Sequence, residues 1–228
     1  MLILFDVDGT LLITRRAGIE AMTAAGRSLF GSAFTMDGVD VAGRLDGLIW
    51  ADAAARNDVD DHERWHARFR EAYAAELDRL LASTHAATLL PGVSRLVNHL
   101  GGVDGLTLGL LTGNYPETGR LKLERAGLDP AAFPVQAWGS DGRHRRDLPP
   151  LAIRQWVRHA PASGRPDEVV IIGDTPHDVD CARHHGCRCL AVTTGRYDEA
   201  ELREAGAEAV LPNLDRLDEV IAHLRLPG

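Results

Sequence analysis

A basic surface is what this chain of 228 residues most plainly lacks: 25 lysines and arginines stand against 33 aspartates and glutamates, a formal net charge of −8. Non-specific nucleic-acid binding needs a basic face, so that class is set aside, whereas a small anionic substrate held by a local group of arginines is not. Long apolar runs are missing too. None approaches the roughly 18 residues of a membrane span. The apolar N-terminus has no basic start and is interrupted by Asp6 and Asp8, which argues against a signal peptide. Cysteine is scarce. Cys181, Cys187 and Cys189 cannot all pair and form no CxxC, so they read as small buried side chains in a reducing, cytoplasmic compartment. The alternative is a zinc site with His184 or His185; otherwise those two and His144 read as surface or core histidines. No internal repeat or low-complexity tract is present. What remains, 45% hydrophobic and 25% charged residues, is the balance of a soluble globular protein.

The chain opens MLILFDVDGTLL, and Leu2 to Phe5 reads as a short strand buried on both faces, as at the centre of a parallel sheet. It runs straight into Asp6 and Asp8, carboxylates that are costly near a core unless a cation or hydrogen-bond donors compensate them. Further strand-like runs lie at Leu106–Asn114, Phe133–Gly139, Glu168–Thr175 and Cys187–Gly195, with a weaker one at Ala207–Pro212. Helix-like stretches such as PETGRLKLERAG and LPPLAIRQWVRHA separate them, which predicts an α/β fold with a mainly parallel, Rossmann-like sheet. Asp6, Thr112 and Asp174 each fall at the carboxyl end of a predicted strand, where such sheets bind ligands. Residues 15–86 show no such alternation. RFREAYAAELDRLL sets Phe69, Tyr73, Leu77 and Leu80 on one helical face, and GIEAMTAAGRSLF also reads as helix. The expectation is a catalytic core of residues 1–14 and 87–228, with 15–86 inserted after strand one as a small all-helical domain.

The chemistry at the strand ends is that of phosphoryl groups and a hard cation. A carboxylate at Asp6 can ligate a metal or form an acyl-phosphate, and Asp8 can pass a proton to a leaving alcohol and take one from water. The bland alternative has Asp8 capping a turn and Asp6 satisfied by backbone amides. In LLTGN, the Thr112 hydroxyl and the Asn114 amide can donate to phosphate oxygens, and Gly113 lets backbone N–H groups approach. In IIGDTPHDVD, Asp174 ends a strand, Thr175 is a helix N-cap before Pro176, and Asp178 faces back to the same pocket, while Asp180 points into solvent. Carboxylates converging from separate strand ends suit octahedral Mg²⁺. Arg143, Arg145 and Arg146 in DGRHRRDLPP supply positive charge for a transferring phosphoryl group, unless the run is only a solvated loop.

The ordered set DxDGT, TGN, a basic residue and GDxxxD resembles the haloacid dehalogenase-like hydrolase superfamily, over nearly the whole chain outside the insert. The resemblance implies Asp6 as nucleophile and Asp8 as general acid/base, with the Asp8 backbone carbonyl in the magnesium shell. It maps Thr112 to the second motif. Asp174 becomes a magnesium carboxylate and Asp178 a direct or indirect one. The third motif departs from the common Lys-Pro; as in some phosphoglycolate-phosphatase-like members an arginine takes its place, Arg145 first and Arg146 second. The insert resembles the family's cap, and VAGRLDGLIW its GRTD segment. Arg44 is then either a substrate contact or a surface arginine, and the polar and aromatic cap residues Arg44, Asp46, Trp50 and Trp65 are the set expected to choose the ester, fitting glycolate, sugar or nucleotide phosphates alike. The implied activity is magnesium-dependent hydrolysis of a small phosphomonoester. The alternatives are a phosphosugar mutase on the same frame and a non-catalytic phosphate- or magnesium-binding relative. Dehalogenation needs neither Asp8 nor Asp178. The implied partner is a small phosphorylated metabolite, with no nucleic acid or membrane, for a monomer or small homo-oligomer.

Overall fold

The computed structural model describes residues 1–83, 87–160 and 163–224. Its first strand, β1 (Leu2–Phe5), is followed by the two-residue β2 (Leu12–Ile13) and three helices, α1 (Ala17–Phe30), α2 (Asp46–Arg56) and α3 (His62–Ser83). The chain returns through β3 (Thr88–Leu89), α4 (Val93–Gly101), β4 (Thr107–Leu111), α5 (Pro116–Arg125) and β5 (Val135–Ala137). Then come α6 (Leu148–His159), β6 (Val169–Gly173), α7 (Pro176–His184), β7 (Arg188–Val192), α8 (Glu199–Glu204), β8 (Ala209–Leu211) and α9 (Leu217–Leu224). Each strand predicted from an apolar run is present, trimmed to the residues that pair.

Six strands form one parallel sheet in the order β5-β4-β1-β6-β7-β8. Strand β1 is central and buried along its whole length, because helices cover both faces. Alternate side chains divide accordingly. Ile3, Phe5, Leu110 and Ile172 face α4 and α9, while Leu2, Leu4, Val135 and Ile171 face α6 and α7. The connections run outwards from β1 to β5, then cross back to β6 and on to β8. The carboxyl ends of β1 and β6 therefore flank the switch point, where a crevice opens because successive crossovers leave in opposite directions.

Helices α1, α2 and α3 have a hydrophobic cluster of their own, centred on Trp50, Phe69 and Tyr73, which Tyr115 of the sheet domain joins. The predicted face of α3 is buried at Phe69, Tyr73 and Leu77, and Leu81 is buried beyond them. The Trp50 and Phe69 rings stack at 4.1 Å between centroids, and Phe30 packs on both Trp50 and Trp65. Both tryptophans thus hold the insert together and neither lines the cavity beside Asp6. Antiparallel pairing of β2 with β3 brings the insert's entry and exit side by side. The expected insert boundary at residue 86 lies outside the described residues.

Candidate active site

Asp6, Thr112 and Asp174 follow the last residues of β1, β4 and β6, so three neighbouring strands deliver them to one place. Asp178 joins them from α7. There Thr175 is the N-cap: its hydroxyl donates to Asp178 Oδ2 at 2.7 Å and its backbone N–H to the same oxygen at 3.1 Å. Pro176 opens the helix as the sequence indicates. The carboxylates of Asp6, Asp174 and Asp178 are all buried, and one oxygen of each lies within 4.8 Å of the others.

Arg145 is the cation among them. A 3₁₀ turn over Arg145–Asp147 directs it inwards, where Nη2 donates to Asp178 Oδ1 at 2.5 Å and lies 3.1 Å from Asp6 Oδ1. Nη1 donates to the Gly43 carbonyl at 3.1 Å. Burial works against its charge, but Asp178 and Asp6 outweigh that and push its pKa up. Its neighbour in sequence goes elsewhere. Arg146 is exposed and forms a bidentate pair with Asp180 at 2.6 and 2.7 Å, and against the expectation it is not brought to the cavity beside Asp6. One step along a 3₁₀ turn rotates a side chain by roughly 120°, enough to separate the two.

Asp8 occupies a different environment from Asp6. Its Oδ2 accepts from Lys122 Nζ at 2.6 Å and from Asn114 Nδ2 at 2.8 Å, and Lys122 also donates to Asn114 Oδ1 at 2.6 Å. The Asn114 amide also donates to Thr112 Oγ1 at 2.8 Å, so its side chain is spent on positioning. Thr112, an acceptor there, keeps its own hydroxyl proton free to donate. Lys122 has no place in the sequence reading, yet a signal was present. It is the only lysine in a chain with 24 arginines, and it is almost wholly buried.

The insert closes directly on these residues. Asp46 donates its backbone N–H to the Gly113 carbonyl at 2.8 Å, and its carboxylate accepts from the Tyr115 backbone N–H at 3.0 Å. A Cβ on Gly113 would lie 2.0 Å from the Arg44 carbonyl, so the glycine is needed for backbone to meet backbone. Arg44 borders the cavity, with Nη1 donating to Asp52 at 2.6 Å and to the Asp40 carbonyl at 3.1 Å. Cys181, Cys187 and Cys189 are free and buried, and His144 and His184 are exposed.

Three buried carboxylates face one guanidinium, and for Asp6 and Asp174 burial and the neighbouring carboxylates raise the proton affinity. Burial pushes Asp6 up to about 6 against the lowering effect of Arg145, with Asp178 and Asp8 adding to the rise. Burial, then Asp6 and Asp178, raises Asp174 well above the carboxylate range. Around Asp174 the space is closed to anything larger than glycine: a Cβ on Gly9 or Gly195 would fall 2.4 or 1.7 Å from its Oδ2. An all-oxygen donor set with surplus negative charge fits a hard divalent cation. Asp6 and Asp174 are its natural carboxylates, since both Asp178 oxygens are engaged by Arg145 and Thr175.

A doubly wound sheet with aspartates at its switch point defines a Rossmann-like α/β enzyme class. Within it, the model of the haloacid dehalogenase-like hydrolases matches residues 1–186, and the chain belongs to that family. It is 31% identical over 140 residues to a phosphoglycolate phosphatase of Synechococcus elongatus, a match covering 61% of this chain and 62% of that protein, so less than two thirds of the relative's length. The fold is shared with a hydrolase from Pseudomonas syringae (TM-score 0.71, 23% identity, 97% of this chain and 98% of that one). It is shared also with a putative β-phosphoglucomutase from Thermotoga maritima (TM-score 0.65, 20% identity, 98% and 99%).

Proposed function

We propose that the protein is a magnesium-dependent phosphatase that hydrolyses a small phosphomonoester through an aspartyl-phosphate on Asp6. The observation that carries this reading is the divergence of two carboxylates two residues apart. Asp6 is buried against Arg145, whereas Asp8, its side chain partly exposed, is held by Lys122 and Asn114, and both line the same cavity. A phosphoryl group between them has a nucleophile on one side and a proton donor on the other.

In the first step a carboxylate oxygen of Asp6 bonds to phosphorus, the ester P–O bond breaks, and Asp8 gives its proton to the departing alkoxide. In the second, Asp8 takes a proton from water as that water attacks phosphorus, releasing phosphate and restoring the Asp6 carboxylate. Thr112 and Arg145 donate to the equatorial oxygens; Arg145 Nε, buried and without a partner among the described residues, is a donor still unused. Mg²⁺, held by Asp6, Asp174 and the Asp8 carbonyl, would supply charge neutralisation for the phosphoryl oxygens. Residues 1–14 and 87–228 form the catalytic core in this reading. The insert, 15–86, is a cap that excludes water, latched through Gly43 and Asp46. The protein acts in the cytoplasm on a phosphorylated metabolite.

Phosphate release from a panel of phosphomonoesters, with and without Mg²⁺, tests the reading in wild type and Asp6→Asn. Release should require Mg²⁺ and fall by roughly 10⁴-fold or more in the variant, which lacks the nucleophile. Release that survives Asp6→Asn would overturn it. Isomerisation of a sugar phosphate in place of hydrolysis would assign a mutase.

A further inference from the structure

The cavity beside Asp6 has a volume of about 530 Å³, far more than a two-carbon phosphoester occupies. Beyond the aspartates its wall turns apolar, with Ile13, Ile19, Met22, Ile49 and Tyr73 along it. Ile13 keeps 36% of its surface exposed there, an uncovered large apolar side chain at the edge of a polar site. The next residues but one bring charge. Arg15 and Arg16 border the same cavity, and both are exposed. Both also hold left-handed backbone, at φ 44° and 73°, a conformation that non-glycine residues keep only where the surrounding structure imposes it.

Among the described residues neither guanidinium has a hydrogen bond or an ion pair. The other arginines at the mouth are committed, Arg44 to Asp52 at 2.6 Å and Arg196 to Asp40 at 3.6 Å. Two free cations on a strained turn, in a cavity that also holds the aspartates and an apolar lining, describe a ligand with charge at both ends. Resting on the phosphatase reading above, we propose that the substrate is an amphipathic phosphomonoester. Its phosphoryl group meets Asp6, a hydrocarbon or aromatic body lies on Ile13, Ile19 and Ile49, and a second anionic group reaches Arg15 and Arg16.

Three non-hydrolysable probes separate the parts: phosphonoacetate, benzylphosphonate and (4-carboxybenzyl)phosphonate, titrated calorimetrically with Mg²⁺ present. Affinity should rise along that series. The ring adds roughly tenfold or more from apolar burial, and the carboxylate a further three- to tenfold, as for an ion pair at a solvent-exposed mouth. Replacing both arginines by asparagine (R15N/R16N), the residue that best tolerates left-handed backbone after glycine, should bring the carboxybenzyl-to-benzyl ratio close to one. Phosphonoacetate binding as tightly as the aryl probes, or a ratio unchanged in the variant, would overturn the proposal. Turnover of phosphoglycolate and 4-carboxyphenyl phosphate keeps the two readings apart. Phosphoglycolate as the better substrate would overturn the amphipathic class and leave the phosphatase standing. The phosphonate series obeyed without hydrolysis of any ester would support the ligand class and remove the phosphatase.

Discussion

At the strand ends, charged side chains sit within reach of a counter-charge or a donor: Asp178 on Arg145 and Thr175, Asp174 on Thr10, Asp8 on Lys122 and Asn114. The insert side of the same cavity is built differently, with apolar side chains from α1 and α2 and two arginines whose guanidinium groups have no partner among the described residues. The floor is fixed by the sheet, since a residue one past a strand end has little freedom to move. The wall is set by side chains on separately packed helices, which can be exchanged without disturbing β1, β4 or β6. Reaction chemistry and recognition are thereby separated: one needs atoms held in place, the other needs only shape and charge.

That contrast breaks most severely at Arg145. Replacing it with alanine leaves Asp6 and Asp178 buried without their cation, a change that costs about 3–5 kcal/mol when one partner of a buried pair is removed. Denaturant unfolding of Arg145→Ala should show that loss, and phosphate release should fall with it. A variant as stable as wild type would mean that the floor does not depend on its charge pairing.

Asp46 tests the seam between floor and wall. Burial pushes its carboxyl up to about 7, against lowering by Lys122 and by the Tyr115 N–H, from an ordinary 3.8. Between those values the folded state binds more protons than the unfolded one, so stability falls as pH rises through about 4 to 7. Asp46→Asn keeps an acceptor for the Tyr115 N–H and removes the titration. It should match wild type near pH 4 and exceed it at pH 8 by something on the order of 3 kcal/mol. Asp6 and Asp174, whose pKa values are also raised, keep part of the slope in both proteins. Unfolding curves at the two pH values decide the matter, and identical slopes would show that Asp46 does not titrate on folding.

Lys122 comes next. Lys122→Met preserves the buried stem and deletes the donor to Asp8 and Asn114, so kcat should drop roughly 10²-fold, the scale of a misplaced general acid/base, with a smaller change in KM. An unaltered kcat would reduce Lys122 to a packing residue. Its omission from the sequence reading has a physical reason. The aspartates announce themselves because Asp6, Asp8 and the β1 run are neighbours in the chain, and the doubly buried strand has its own composition. Lys122 meets Asp8 across 114 positions, from a helix whose local pattern says only that it is a helix. Asn114 was legible as a site residue but not in its role, because whether an amide faces a ligand or a carboxylate depends on that same distant lysine. The pairing of β2 with β3 is two residues long, too short for any periodicity to register. Trp50 and Trp65 looked like cavity residues because sequence cannot tell an aromatic on the inner face of a helical insert from one on its outer edge.

The smallest effect is expected one residue from the largest. Arg146 is adjacent to Arg145 in sequence and equally basic, and nothing in RRDL distinguishes them. The 3₁₀ turn does, sending Arg146 out to Asp180 on the surface of α7. A solvent-exposed pair of this kind contributes little to stability, because water and salt screen it. The bond between His185 Nε2 and the Arg146 carbonyl at 2.5 Å uses only the backbone of residue 146 and survives truncation of its side chain. Arg146→Ala should therefore leave phosphate release within about twofold of wild type and the unfolding midpoint nearly in place. A tenfold loss of kcat with intact folding would move the third-motif cation from Arg145 to Arg146. It would also require the turn at 145–147 to rotate when substrate binds, so that the floor would no longer be the rigid half of the cavity.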